Sequence, residues 1–187
     1  NIAAFLDQGV KAVVDACNST SAVALQYLQE HYDIPLVGVI EAGVRGALES
    51  TKNGKVGIIA TKATIDSKAH EKAAKRMDPG VQIFGRACSK FVPLVEAGRI
   101  NCSETVEAAR AYLKPLKDQG IDTLILGCTH YPFLRCVLEE ILGEEVQLVD
   151  PAENTVLELK SLLKGQINEN GVYDFSDHQY FVSGDPV

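Results

Sequence analysis

Three features that would each indicate a function class are missing from this sequence: a basic stripe, a long apolar run and paired cysteines. Lysine and arginine total 18 against 25 aspartate and glutamate residues, so the formal net charge is -7. This acidic balance argues against nucleic acid or an anionic membrane as the main partner. No apolar run approaches the length of a membrane span, and no signal peptide is visible. The sequence therefore predicts a protein that acts on neither nucleic acid nor membranes.

The cysteines are odd in number, and none of them belongs to a C-x-x-C pair. This pattern argues against a disulfide framework or a zinc ribbon, so we expect no metal site and a reducing, cytoplasmic location. The cysteines lie at positions 17, 88, 102, 128 and 136.

Short apolar segments rich in Val, Ile and Leu alternate with helical patterns along the whole chain. Such segments are typical of strands buried on both faces of a parallel sheet, and their alternation with helices predicts a doubly wound α/β fold. The predicted strands are 12–16, 36–40, 56–60, 81–85, 123–126, 146–149 and 179–182. The predicted helices are 1–8, 19–31, 41–50, 65–77, 89–97, 103–119, 133–142 and 154–164, with Ser103 as an N-cap. His31, His70 and His178 lie in polar contexts and are predicted on the surface.

Two segments share one pattern, in which a cysteine ends an apolar run and is followed by small hydroxyl or amide residues. They are DACNSTSA at 15–22 and LGCTHYP at 126–132. A thiol at a helix N-terminus is stabilised as the thiolate, and the backbone N–H groups that follow can bind a carboxylate. A lone buried cysteine is more often a packing residue than a catalyst. Matched flanks on both cysteines favour chemistry with one thiol on each side of a substrate.

At these residues the sequence resembles the glutamate racemases of the cofactor-independent aspartate/glutamate racemase family. The family motifs A-C-N-T-A-S-A and L-G-C-T-H-[YF]-P correspond to residues 16–22 and 126–132. Further similarity runs through 37–43, 57–64, 91–96 and 183–186. The resemblance thus covers essentially the whole chain, in order.

The resemblance implies racemisation of glutamate by two cysteines, without pyridoxal phosphate or another cofactor. Cys17 would work on D-glutamate and Cys128 on L-glutamate, and the product D-glutamate would serve peptidoglycan synthesis. His130 would assist Cys128, and Glu96 matches a family carboxylate on the same side. The substrate would be held by Asn18, Ser19, Thr61, Thr64 and Thr129. Family members commonly form dimers, so a homodimer is a further expectation. Read from the residues alone, Glu96 is a solvated helix end, and Thr61 and Thr64 are helix caps.

The family fold is two similar α/β lobes with mainly parallel sheets and the active site in the cleft between them. Mapped onto this chain, residues 1–40 and 150–187 would form the first lobe and 41–149 the second. The family's upstream Asp-Ser-Gly and Tyr-Gly motifs are absent from the 187 residues. We therefore expect the chain to be a fragment that lacks the first strands of the first lobe.

Three alternatives remain open on the sequence. The chain could racemise aspartate or another amino acid, because side-chain length is selected by a pocket that the sequence does not reveal. It could instead be an inactive, truncated relative. A thiol hydrolase that uses Cys128 and His130 is a further alternative, although it leaves Cys17 without a role.

Overall fold

The computed structural model describes residues 2–165, 178–182 and 184, and helices alternate with short strands through most of that range. The strands are β1 (Val13–Asp15), β2 (Leu36–Gly38), β3 (Lys55–Ala60), β4 (Gln82–Ala87), β5 (Thr123–Gly127) and β6 (Gln147–Val149). The helices are α1 (Ile2–Asp7), α2 (Asn18–Val23), α3 (Leu25–His31), α4 (Val39–Ser50), α5 (Lys62–Ser67), α6 (Ala69–Met77), α7 (Phe91–Glu96), α8 (Ser103–Asp118), α9 (Arg135–Leu142) and α10 (Pro151–Leu162). A 3₁₀ helix, Tyr131–Leu134, precedes α9. This order confirms the predicted α/β class.

The described strands form two parallel sheets. The larger sheet has four strands in the order β4-β3-β5-β6, and the smaller one pairs β1 with β2. In the register of the larger sheet, Val56 of β3 lies between Ile83 of β4 and Thr123 of β5. After β3 the chain therefore adds β4 on one side of it, and then adds β5 and β6 on the other side.

Both faces of the larger sheet are covered by helices, as the apolar strands predicted. Successive side chains of a strand point to opposite faces. Ile58 therefore packs into one apolar cluster with residues of α4 and α6, while Ile59 packs into a second cluster with residues of α7, α8 and α9. Both side chains are at most 2% exposed. This two-sided burial confirms the doubly wound arrangement.

Helix α10 packs closely against α4 because α4 has two glycines on the contact face. A Cβ atom at Gly43 would lie 2.9 Å from Cγ of Pro151, and one at Gly46 would lie 2.8 Å from Nδ2 of Asn154. Helix α10 also contacts β2 of the smaller sheet. The chain thus returns after β6 towards the smaller sheet, and the division into lobes at residues 40 and 150 remains a prediction.

Two predicted helices are each divided in two. The helix predicted at 19–31 breaks at Ala24, where φ is -123°. The helix predicted at 65–77 breaks at Lys68, which adopts a left-handed conformation with φ of 55°. The Ser67 hydroxyl donates to the carbonyl of Thr64 and accepts from the N–H of Ala69, so it replaces helical backbone bonds at this point.

Two further predictions differ from the structure. The strand predicted at 179–182 is wrong, since the described residues 178–182 form no strand. Tyr180 is 86% exposed, so this apolar run has no sheet face to pack against among the described residues. Ser103 is the first residue of α8 rather than its N-cap, and Cys102 takes the N-cap position with extended backbone.

The prediction that His70 lies on the surface is also wrong. The side chain is 3% exposed, and its Nε2 has no hydrogen-bond partner within the described part of the chain. Residues three and four apart share one face of a helix, so His70 lies on the same face of α6 as the buried Ala73 and Ala74. Burial lowers the pKa of His70 from its usual value near 6.5 to about 4.

We expect this buried imidazole to make the protein less stable in acid. Between pH 6.5 and about 4 the unfolded chain binds a proton at His70 and the folded chain does not, so the free energy of unfolding falls as the pH falls. Over this pH range the free energy of unfolding should fall by about 3 kcal/mol in total. Urea denaturation at several pH values should show a weaker pH dependence for His70→Leu than for the wild type. The exposed His31 serves as the control, because His31→Ala measures how far the loss of an imidazole outside the core changes the pH dependence.

Candidate active site

The site lies at the carboxyl ends of β3 and β5, where the strand order of the larger sheet reverses. Ala60 and Gly127 are paired at the ends of these two strands. In open α/β sheets, ligands bind outside the carboxyl ends of the strands at such a reversal point. Thr61 and Cys128 each follow one of the paired residues, so the topology brings these two predicted site residues together.

Cys17 lies at the end of the smaller sheet, two residues after β1. It is the N-cap residue of α2, with φ of -88° and ψ of 113°, yet its thiol makes no capping hydrogen bond. The side chain is exposed. The first of the two predicted catalytic thiols is therefore exposed and not engaged in capping α2.

Cys128 is partly buried and lies near Cys17. Burial raises the pKa of the Cys128 thiol above its usual value. Hydrogen bonding with the backbone N–H of His130 and with the Thr129 side chain lowers this pKa in part, while the charge on Cys17 raises it. The electrostatic effect of Cys17 on Cys128 indicates that the two thiols lie close enough to belong to one site.

His130 connects Cys128 to Glu96. The His130 Nδ1 atom lies 3.7 Å from the Cys128 Sγ atom, and the His130 Nε2 atom contacts Oε1 of Glu96. Glu96 ends α7, and its side chain is 68% exposed while that of His130 is 28% exposed. The structure thus brings together the three residues that were predicted for the second half of the site.

Three hydroxyl groups form a triangle of hydrogen bonds between α2, which follows β1 of the smaller sheet, and the residues that follow β3 of the larger sheet. The Ser19 Oγ atom lies 2.9 Å from Oγ1 of Thr61 and 3.0 Å from Oγ1 of Thr64. The two threonine hydroxyls lie 3.1 Å apart. Thr61 also caps α5 by accepting from the N–H of Thr64 at 3.3 Å. The capping interpretation is therefore correct for Thr61 and wrong for Thr64, which lies inside α5, and both hydroxyls belong to the predicted binding groups.

Asn18 contributes an unpaired polar atom. The residue is 4% exposed, and no group among the described residues donates to its Oδ1 atom. Buried polar atoms in native proteins almost always have a partner. Asn18 lines a cavity of about 250 Å³ together with Cys128 and Thr129. A buried acceptor without a partner, in a residue that lines this cavity, is suited to a ligand that carries a hydrogen-bond donor.

Two acidic residues near the site were not assigned from the sequence. Asp150 lines the same cavity and caps α10 by accepting from the N–H of Ala152 at 3.0 Å. Asp15 ends β1, and its Oδ1 atom accepts from the N–H of Cys17 at 3.2 Å. A charged residue at the end of an apolar strand, just before a reactive cysteine, is the signal that could have identified Asp15.

Residues 2–165, 178–182 and 184 contain neither a candidate metal cluster nor a candidate membrane span. In these ranges no group of three or more His, Cys, Asp or Glu side chains is arranged to hold a metal ion. No helix there combines the length and the apolar character needed to cross a membrane.

Comparison with known proteins gives one consistent result. The family model described as Asp/Glu/Hydantoin racemase matches residues 1–159. The chain is 47% identical to a glutamate racemase of Geobacter metallireducens over 187 residues, which is 100% of this chain and 69% of that protein. It is 44% identical to a glutamate racemase of Desulforudis audaxviator, covering 95% of this chain and 67% of that protein. The chain thus spans about two thirds of the length of these curated relatives.

Solved structures agree with the sequence comparison. A glutamate racemase isoform from Bacillus anthracis matches with a TM-score of 0.83 and 40% identity, over 88% of this chain and 62% of that one. A glutamate racemase from Francisella tularensis, solved in complex with D-glutamate, matches with a TM-score of 0.80 and 37% identity, over 89% of this chain and 63% of that one.

Proposed function

Because the chain belongs to the Asp/Glu/Hydantoin racemase family, we propose that it interconverts L- and D-glutamate by proton transfer at the α-carbon. The observation that carries the proposal is the pair of thiols, Cys17 and Cys128, which follow strands of two different sheets and interact electrostatically. A reaction that inverts a carbon centre needs one group on each face of that carbon. Two thiols from opposite sides of a cleft meet this requirement.

The two thiols act in opposite protonation states. For D-glutamate, the Cys17 thiolate removes the α-proton and the Cys128 thiol donates a proton to the other face. For L-glutamate the roles are exchanged, so each turnover leaves the enzyme in the state that the reverse reaction needs. The pKa of Cys128 is raised chiefly by burial, and this favours the protonated form that is ready to donate.

His130 and Glu96 support Cys128. The Nδ1 atom of His130 lies 3.7 Å from the sulfur and can exchange a proton with it, while Glu96 on the opposite ring nitrogen fixes the orientation of the ring. A carboxylate partner of this kind also stabilises the imidazolium that forms when His130 holds a proton.

The substrate is held by neutral hydrogen-bonding groups. Asn18 offers its unpaired Oδ1 atom to the α-amino group, with Ser19 and Thr129 beside it. Thr61 and Thr64 bond to Ser19 in this structure and can turn their hydroxyls to the substrate carboxylate. Hydrogen bonds to that carboxylate stabilise the enolate-like charge that develops when the α-proton leaves.

Glutamate is the substrate that the comparisons favour over aspartate. Both curated relatives described above are glutamate racemases, and the similar Francisella protein was solved with D-glutamate. We further propose that the protein works in the cytoplasm, as a homodimer, and supplies D-glutamate for peptidoglycan synthesis. The mass of the native protein in solution, compared with the 20.2 kDa of one chain, tests the dimer.

The first experiment follows glutamate racemisation by circular dichroism in deuterated water, alongside an intact-mass measurement of the same sample. We expect both enantiomers to converge on a racemic mixture while the α-carbon gains deuterium. If aspartate racemises and glutamate does not, the substrate assignment is wrong. If the protein is folded and neither amino acid exchanges its α-proton, the activity is excluded for this polypeptide.

A further inference from the structure

The carboxylate of Asp15 connects the end of β1 to the first turn of α2. Its Oδ1 atom accepts from the N–H of Cys17 at 3.2 Å, and its Oδ2 atom accepts from the hydroxyl of Ser21 at 2.7 Å. Ser21 is 8% exposed, and its own N–H donates to the carbonyl of Cys17 at 2.9 Å. Cys17 is therefore held at its N–H and its carbonyl by two residues that are bonded to each other.

This arrangement matters because Cys17 occupies the N-cap position of α2. An N-cap side chain ordinarily accepts from a free N–H of the first helical turn, but the Cys17 thiol makes no such bond. The nearby negative charge of Asp15 is favourable at a helix N-terminus. With its backbone fixed by Asp15 and Ser21, the Cys17 side chain remains available to the cleft.

We propose that Asp15 is a positioning residue for Cys17, fixing the backbone from which this thiol reaches the α-carbon. The proposal rests on the function proposed above, since it assigns Asp15 to one of the two proton-transfer steps. It also has a consequence that does not require activity. Loss of the carboxylate should change the behaviour of the Cys17 thiol and leave Cys128 unchanged.

The test measures alkylation of each cysteine by iodoacetamide in the full-length protein, using peptide mass spectrometry. In Asp15→Val both hydrogen bonds are lost and the turn loosens, so we expect Cys17 to react at least about 3-fold faster, while Cys128 keeps its wild-type rate. Asp15→Asn keeps an acceptor for the N–H of Cys17, so its Cys17 alkylation rate should lie between those of the wild type and Asp15→Val. Ser21→Ala, which removes one of the two contacts, should also be intermediate.

Steady-state kinetics give the second readout. We expect Asp15→Val to lower kcat about 10-fold and to leave KM within about 2-fold of the wild type, because it misplaces a reacting group without removing a substrate contact. Asp15→Asn should recover part of the loss. The matched control is Asp78→Val, because Asp78 accepts from the N–H of Gly80 at 2.8 Å in the same local geometry away from both thiols.

The outcomes separate the two proposals. Equal Cys17 alkylation in Asp15→Val and the wild type overturns the positioning role, and so does a parallel change at Cys128, which a general loosening would cause. If Asp15→Val does not fold, the alkylation rate of Cys17 relative to that of Cys128 in Asp15→Asn and Ser21→Ala tests the positioning role instead. If the wild type does not racemise glutamate, the proposed function fails while the alkylation result still tests Asp15.

Discussion

Cys17→Ala and Cys128→Ala should each reduce glutamate racemisation by about 10³-fold or more, in both directions. In the proposed mechanism each direction needs one thiol to remove a proton and the other to donate one, so neither cysteine is dispensable for either direction. The two thiols lie close enough to interact electrostatically, as two groups acting on one carbon must. Circular dichroism from pure L- and pure D-glutamate measures the two rates separately.

Serine variants should distinguish proton transfer on one face of the α-carbon from proton transfer on the other. A serine hydroxyl is a poor base, so Cys128→Ser should retain exchange of the α-proton of D-glutamate through Cys17 while losing net racemisation. Cys17→Ser should show the converse with L-glutamate. Deuterium incorporation into the unconverted enantiomer, followed by mass spectrometry, measures this exchange.

The control for these variants is Cys136→Ala, which removes an exposed cysteine of α9 and should leave the activity unchanged. Full racemase activity in Cys17→Ala would contradict the two-thiol mechanism. A hydrolase that used Cys128 and His130 would instead retain its activity in Cys17→Ala.

The larger sheet was predictable because its strands are buried on both faces. Segments such as 56–60 and 124–126 are apolar runs, and a parallel sheet between two helical layers is the usual arrangement that buries short runs of this kind on both faces. The segment 179–182 was also predicted as a strand, but no strand forms there. Composition alone does not tell whether a neighbouring strand is available for pairing. The helix break at Lys68 depends on local hydrogen bonds of the Ser67 side chain, which periodicity does not record, and no side-chain bond among the described residues explains the break at Ala24.

The site was predictable where chemistry is local in sequence, as at Cys17 with Asn18 and at Cys128 with His130. The contact between His130 and Glu96 joins residues 34 positions apart, and the residues alone indicated only a helix end. Asp15 was missed for another reason. Its place at the end of an apolar strand is visible in the sequence, but its contacts with the N–H of Cys17 and the hydroxyl of Ser21 are defined only by the folded turn.

Gly127→Ala should damage both stability and activity, because this glycine ends β5 directly before Cys128. An added Cβ atom would lie 2.8 Å from the backbone oxygen of Ile59 and 3.0 Å from Cβ of Ala60. Neither atom belongs to a flexible side chain, so β5 must move away from β3. We expect the free energy of unfolding to fall by about 3 kcal/mol. A shift of Cys128 by about 1 Å should lower kcat by about 100-fold.

Gly85→Ala is the matched control for this prediction. Gly85 also lies in a strand beside β3, but its added Cβ atom would meet only side-chain atoms, at 3.3 Å from Cδ1 of Ile65 and further from the others. A flexible side chain can give way, so this variant should lose less than about 1 kcal/mol and keep its kcat. Urea denaturation and the circular dichroism assay, applied to both variants, measure the two effects. Equal stability and kcat in Gly127→Ala and Gly85→Ala would show that the close approach of β3 and β5 does not position Cys128.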